Sequence, residues 1–406
     1  MAETLQPGTA EELREIVAAA LAEKRPLEIR GRGTKVGLGR PVEADLVVAL
    51  ESMSGIELYE PEELVMIAGA GTPVAEIERL LADNQQQLAF EPADYGRILG
   101  GDAGQGTIGG VFACNLSGPR RLKAGAARDH FLGVTAVTGR GDVIKSGGRV
   151  MKNVTGYDLC KLFAGSYGTL AAMTRVSFKV LPASEATATL IIAGLDLEGG
   201  MAALRQAVAS PYEVAGAAYL PAAAATRSGI RTVSGAGHDL ALVRLEGTAP
   251  SVQYRLDVLR ELLARGGAEV AALEQAESLS LWHELRDVRP IAPERMLWRL
   301  SVPPAAATEI VRALAAEVAS DWFADWAGGL LWLGVPEGED ARAGAVRAAL
   351  AGAGGHATLV RAPAGVRAAV PPFEPEPGPL AALSARVKHS FDPERILNRG
   401  RMFEDV

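Results

Sequence analysis

Residues 100–110 (GGDAGQGTIGG) carry six glycines in eleven positions. Glycine loses more backbone entropy on folding than any other residue, so a packed helix or strand disfavours such a density. The cost is tolerated where the backbone turns tightly, or where a ligand touches it with no side chain between. The stretch lies in a longer run, residues 90–181, dense in Gly, Thr, Ser and Asn. A second glycine loop, residues 30–35 (RGRGTK), follows a short apolar strand. Two loops able to offer rows of N–H groups to an anion point to a large phosphate-bearing cofactor.

At 406 residues the chain is long enough for two or three domains with cores of their own. Its net charge of −8 argues against a nucleic-acid partner, which calls for a basic excess. Cys114 and Cys160 make neither a disulfide framework nor a metal spacing, and suit a reducing compartment. The N-terminus lacks the basic and apolar regions of a signal peptide, and no window of about 18 apolar residues reads as a transmembrane helix. A cytoplasmic location is expected.

The first residues read as an α/β unit. Thr9 and Glu12 have capping-box spacing, and Leu13, Ile16, Val17, Ala20 and Leu21 form a helical stripe that Pro26 ends. Strands are expected at 27–29, 45–50 and 64–68. The third runs into Gly69-Ala70-Gly71-Thr72-Pro73-Val74, a poor dinucleotide fingerprint because Val74 stands where the third glycine belongs. The better reading makes Thr72 an N-cap and Pro73 the first residue of a helix.

Thr107-Ile108-Gly109-Gly110-Val111 combines a hydroxyl, two glycines open to a ligand and two apolar residues to pack behind them. Asn115, Ser117 and Gly118 continue the polar side. Further glycine turns follow at 139–142 and 165–168, with strands at 131–138 and 173–180. A loop-rich β-meander without a ligand would also use such turns. Three of them, each beside Thr, Ser or Asn, favour a bound cofactor.

The motifs RGRGT at 30–34, TIGG at 107–110, TGYDL at 155–159 and GSYGTL at 165–170 resemble the vanillyl-alcohol-oxidase/PCMH-type FAD-binding family. Residues 391–402 (FDPERILNRGRM) look like that family's closing segment, which returns to the flavin domain. Within the family the likeness is greatest to the small FAD-binding E subunits of bacterial glycolate oxidase. The resemblance implies an α+β chain: an FAD-binding domain over 1–182, in subdomains of about 1–55 and 56–182, a cap over 183–375, and a returning segment over 380–406. It implies that Arg30, Gly31, Arg32, Gly33, Thr34 and Lys35 hold the FAD pyrophosphate. Thr107, Ile108, Gly109, Gly110 and Asn115 would line the path to the flavin. Gly168, Thr169, Leu170 and Val176 would enclose the adenosine end, and Asn398 would approach the ring edge. Relatives that attach FAD covalently use a histidine in the first loop. Thr34 and Lys35 stand there in this chain, so dissociable FAD is expected.

In the second half, strands at 187–193, 213–220, 239–246 and 268–273, with helices at 200–209 and 251–265, follow the order of a ferredoxin-like unit. Ser251 and Gly266 are its expected helix caps. The order recurs: strands at 297–302, 322–327, 330–335 and 357–361, helices at 305–318 and 340–353. This matches the duplicated cap that the resemblance implies. Six prolines in residues 363–379 read as a linker before a helix at 380–389.

The five histidines, His130, His238, His283, His356 and His389, are scattered without metal-binding spacing, and no metal site is expected. Metal-dependent relatives carry an H-x-H pair and a histidine-rich segment that this chain lacks. His283 reads as part of a surface helix with a solvated His-Glu-Arg face, or as a base beside a cation on one helix. His389 has family placement near the flavin but no further chemistry. Arg286, Arg289, Arg299 and Arg401 are candidate carboxylate anchors, and no catalytic residue is singled out. The five tryptophans, Trp282, Trp298, Trp322, Trp326 and Trp332, suit cap core or a subunit interface.

Three functions remain open. The first is an FAD subunit of a glycolate oxidase-type complex acting on glycolate or D-lactate. It would work beside a larger FAD-dependent subunit and an iron–sulfur subunit, peripheral to the inner membrane through those partners. The second is a self-sufficient FAD-dependent hydroxy-acid or alcohol dehydrogenase. The third is a structural subunit with a vestigial flavin site. The family resemblance favours the first.

Overall fold

The computed structural model describes residues 3–150, 156–264, 267–318 and 320–404. Two compact units divide the chain. The first comprises Met1–Ser117, Ala126–Ala183 and Pro371–Val406; the second comprises Gly118–Gly125 and Ser184–Val370.

The first unit opens with β1 (Glu3–Leu5), α1 (Ala10–Glu23), β2 (Leu27–Arg30) and β3 (Leu46–Ala49). The strands form a parallel sheet in the order β1-β3-β2. The Thr9 hydroxyl caps α1 by accepting from the Glu12 N–H at 3.1 Å. The Glu12 carboxylate answers to the Gly8 N–H, one residue earlier than a reciprocal box requires. Leu13, Val17 and Ala20 bury the helix stripe against Ile29, Val48 and Leu397.

A second sheet, all antiparallel, is built from β4 (Ile56–Glu60), β5 (Val65–Gly69), β6 (Phe131–Thr138), β7 (Val143–Gly147) and β8 (Ala171–Lys179), in the order β4-β5-β8-β6-β7. The helix after β5, α2 (Val74–Asp83), begins after Pro73. Thr72 does not cap it. Its buried hydroxyl donates to the Gly69 carbonyl at 2.7 Å and accepts from the Gly55 N–H at 2.9 Å. A side chain at Gly69 or Gly71 would overlap backbone of residues 50–54, so these glycines serve close chain packing rather than a phosphate. Between β5 and β6 lies α3 (Ile108–Ala113), and α4 (Leu159–Phe163) lies between β7 and β8. Thr155 of the TGYDL motif lies outside the described residues.

Gly118–Gly125 belongs to the second unit, although the sequence reading kept it with the first. Arg120 pairs with Glu246 at 2.8 Å, and Lys123 with Glu213 at 2.8 Å. The main part of this unit runs β9 (Ala186–Ala193), α5 (Leu197–Ala209), β10 (Gly216–Leu220), β11 (Leu240–Gly247), α6 (Ala249–Leu263), β12 (Glu269–Leu273) and α7 (Gln275–Arg286). It continues with β13 (Met296–Ser301), α8 (Ala307–Glu317), β14 (Asp321–Asp325), β15 (Leu330–Val335), α9 (Ala343–Leu350) and β16 (His356–Arg361). All eight strands join one antiparallel sheet in the order β12-β9-β11-β10-β14-β15-β13-β16. Each half has the strand order of a ferredoxin-like unit, and the halves meet edge to edge at Tyr219 and Ala324. Tyr219 and Trp322 stack across that seam, with centroids 5.8 Å apart and planes 7° from parallel.

Helix α6 starts after Thr248, so Ser251 sits inside it, and the expected terminus at Arg265 and Gly266 lies outside the described residues. Trp282, Trp298, Trp326 and Trp332 are buried and Trp322 is half-buried. His283 is exposed on α7, but its neighbour Glu284 turns inward to accept from the Ser228 hydroxyl and the Gly229 N–H. The face is therefore not fully solvated. The chain returns to the first unit with α10 (Gly378–Phe391), two residues longer at each end than its apolar pattern suggests.

Candidate cofactor cleft

A cleft of about 680 Å³, the open solvent at its mouth included, lies within the first unit. One wall is the loop after β2, residues 30–36. The facing wall is built from Thr107, Gly109, Gly110, Ala113 and Cys114 on and beside α3, and from Tyr167, Gly168 and Ala171–Met173. Arg401 closes one side.

Local sequence explains why the walls stand so close. Thr107 caps α3 by accepting from the Gly110 N–H at 3.3 Å. A Cβ at Gly31 would lie 2.5 Å from the Thr107 hydroxyl oxygen, so only glycine lets the loop approach that cap. A Cβ at Gly109 would lie 2.7 Å from Ala70, which seats α3 on the end of β5. Behind α3, the Phe163–Gly168 turn is fixed by Gly165 N–H to Phe112 carbonyl and Tyr167 N–H to Ala113 carbonyl bonds of 3.2 and 2.9 Å.

The first wall carries a run of backbone donors that the chain itself leaves unused. Among the described residues, the N–H groups of Gly31, Arg32, Gly33, Thr34 and Lys35 donate no hydrogen bond within the chain. Backbone donors are satisfied by the chain, by solvent or by a ligand, so five consecutive donors free of the chain at the edge of a cleft are open to an anion. Arg30, Arg32, Lys35 and Arg401 add positive charge around them. Burial pushes the Lys35 ammonium below its ordinary pKa, partly opposed by Cys114 and Asp94. Burial likewise raises the Cys114 thiol, opposed by Lys35 and Arg401, so the thiol is protonated at neutral pH. Free N–H groups, lining glycines and cations suit a diphosphate, and the site fits FAD.

Of the residues expected at the cofactor, Arg30 to Lys35, Thr107, Gly109, Gly110 and Gly168 line this cleft. Ile108, Asn115, Thr169, Leu170, Val176 and Asn398 do not. Ile108 is buried and its N–H donates to the Thr72 carbonyl. Asn115 accepts from the Arg128 N–H, and Thr169 donates to the Ser166 carbonyl. Leu170 is buried, and Val176 sits in mid-sheet opposite Ala68 and Val134. Asn398 accepts from the Ile29 N–H and donates to the Tyr167 carbonyl, each at 2.8 Å, so it supports the cleft from behind. The lining role of Cys114 and Tyr167 was missed. Tyr167, at φ 55°, stands inside GSYGTL, and its position between two glycines was the available signal. His389 is exposed on α10 and does not line the cleft.

Residues 2–147 match the family described as FAD binding domain. The chain is 34% identical over 397 residues to glycolate oxidase subunit GlcE of Escherichia coli (strain K12), a match covering 97% of each chain. It is 32% identical over 188 residues to glycolate oxidase subunit GlcD of Bacillus subtilis (strain 168), covering 46% of this chain and 38% of that one. The solved 4-ethylphenol oxidase from Gulosibacter chungangensis shares the fold at a TM-score of 0.73 and 16% identity, over 98% of this chain and 88% of that one.

Fold and cleft therefore define a PCMH-type FAD-binding flavoprotein, as the motifs led us to expect. The chain belongs to the GlcE family of glycolate oxidase subunits, FAD-dependent oxidoreductases linked to hydroxy-acid oxidation. No helix of the described residues is long and apolar enough to cross a membrane.

Proposed function

We propose that this chain is the FAD-carrying small subunit of a glycolate oxidase-type complex. It holds FAD without a covalent bond and serves the oxidation of glycolate or D-lactate to the 2-oxo acid. Its partners are a larger FAD-dependent subunit and an iron–sulfur subunit, through which it meets the inner membrane from the cytoplasm. The observation that carries the reading is the row of free N–H groups at 31–35, ringed by Arg30, Arg32, Lys35 and Arg401.

Bound FAD supplies the two-electron redox chemistry. The chain's own residues bind and orient it. The row of N–H groups takes the diphosphate, Gly31 keeps the loop against Thr107, and the Gly168 turn with Ala171–Met173 forms the opposite wall. The side chains lining the cleft are cationic, apolar, hydroxyl or thiol, a set suited to holding an anionic cofactor. Drawing a proton from a hydroxy acid calls for a base near neutral pKa, a role this reading gives to the larger partner.

The test is an absorbance spectrum of the purified chain, acid precipitation to see whether the flavin is released, and anaerobic addition of glycolate and D-lactate. The proposal expects a yellow protein that releases its flavin into acid and bleaches only when the partner subunits are present. Bleaching of the isolated chain would make it a self-sufficient dehydrogenase. A colourless chain that FAD cannot reconstitute would make it a structural subunit.

A further inference from the structure

Lys388 and Asp392 form a buried ion pair in the first unit, at 1% and 0% side-chain exposure, that does not line the cofactor cleft. They face each other at 2.8 Å across one turn at the end of α10. Lys388 also donates to the carbonyls of Thr169 at 2.6 Å and Leu397 at 3.0 Å, which fills its three donors. Asp392 accepts in addition from the N–H groups of Ile396 at 3.0 Å and Leu397 at 2.8 Å. A side chain at Gly139 would overlap the carboxylate, so the chain is cleared around it. Burial presses the Lys388 pKa down while Asp392 holds it up.

A buried ion pair adds little stability over a well-packed apolar pair of the same size. What it adds is direction, and the directions here converge on the cleft. Lys388 binds the carbonyl of Thr169, the residue after cleft-lining Gly168. Asn398 binds the carbonyl of Tyr167, the residue before it, and the N–H of Ile29, which begins the other wall. Arg401 donates to the carbonyl of Lys35, the end of the anion-binding loop, at 2.7 Å. Leu397 pairs with Leu27 as an added rung on β2. One short segment thus grips both ends of the loop and both flanks of Gly168. These walls belong to different sheets.

We propose that Lys388 and Asp392 are positioning residues. They lock the C-terminal segment as a clasp that sets the spacing of the two cleft walls and so sets FAD affinity, without touching FAD. This rests on the FAD reading above, and the test separates the two. The double variant Lys388→Met/Asp392→Leu removes both charges together, so neither is left stranded. FAD titration followed by flavin fluorescence is run on it and on the wild-type chain, with the melting temperature of each taken with and without FAD. The clasp predicts a variant that folds and binds FAD at least tenfold more weakly, with a smaller FAD-induced rise in melting temperature. A purely structural pair would lower both melting temperatures alike and leave the FAD dissociation constant within twofold, which overturns the proposal. A wild-type chain that binds no FAD would sink the FAD reading instead.

Hydrogen exchange on the unmutated chain supplies a readout that does not depend on the variant folding. FAD should slow the amides of Ile29, Ile396, Leu397 and Asn398 by a larger factor than those of Val65–Gly69. Equal slowing of the two sets would count against the clasp.

Discussion

The loop after β2 and the polar cluster around Glu246 treat their polar groups in opposite ways. Around Glu246 in the second unit the buried charges are paired: Glu246 forms ion pairs with Arg120 at 2.8 Å and Arg244 at 2.7 Å, and Arg255 donates to the carbonyls of Ser251, Tyr212 and Glu246. The indole N–H of Trp282 meets the Thr189 hydroxyl, which in turn bonds Ser278. In the first unit, the loop after β2 presents consecutive N–H groups that meet nothing among the described residues. Folding normally pairs such groups. Beside a cleft and its cations such donors suit a ligand, whereas the paired cluster around Glu246 suits a rigid frame.

The largest effect that would sharpen this contrast lies in the second unit. Glu246→Leu strands two buried guanidiniums, and we expect it to cost about 3–5 kcal/mol of stability, read as a lower urea midpoint. FAD bound per folded chain should stay at the wild-type level. A variant that keeps its stability but loses FAD would erase the distinction between frame and site.

A smaller effect is expected in the first unit. Lys35→Met should weaken FAD binding by about tenfold at neutral pH, or ~1.4 kcal/mol. Because burial lowers the Lys35 pKa, the ammonium is lost at a pH below the usual lysine value of about 10.4. The charge that favours the diphosphate is present below that midpoint and lost as pH rises through it. Wild-type affinity should therefore fall toward that of the variant across the midpoint, while the variant shows no such fall. Parallel pH profiles would show that Lys35 does not face the cofactor.

How much of this was legible in the sequence follows from the kind of signal each region carries. The second unit was readable because strand alternation and helical stripes recur in the same order twice. Its edge-to-edge joining at Tyr219 and Ala324 was not, since a strand does not announce which neighbour it pairs with. Helix α7 reads as a solvated surface helix because the low-contrast sequence QAESLSLWHELR hides its buried side. In the first unit the glycines announced both walls of the cleft. They did not announce which side chains face it, because that depends on long-range bonds. Val176 and Ile108 turn into the core, while Cys114 and Arg401 come to the cleft from positions 287 residues apart. The role of Thr72 was misjudged for a related reason: a Thr before Pro has the local form of a cap, but Gly55 and Gly69 lie within reach of its hydroxyl and take it instead.

The central claim is that the backbone of residues 31–35 takes the FAD diphosphate. It is tested most directly by recording amide nitrogen–proton resonances of the isotopically labelled chain during titration with FAD. The account predicts that the amides of Gly31, Arg32, Gly33, Thr34 and Lys35 move downfield together at one equivalent, as free donors gain charged acceptors. Stoichiometric FAD binding that leaves those five resonances in place would contradict it.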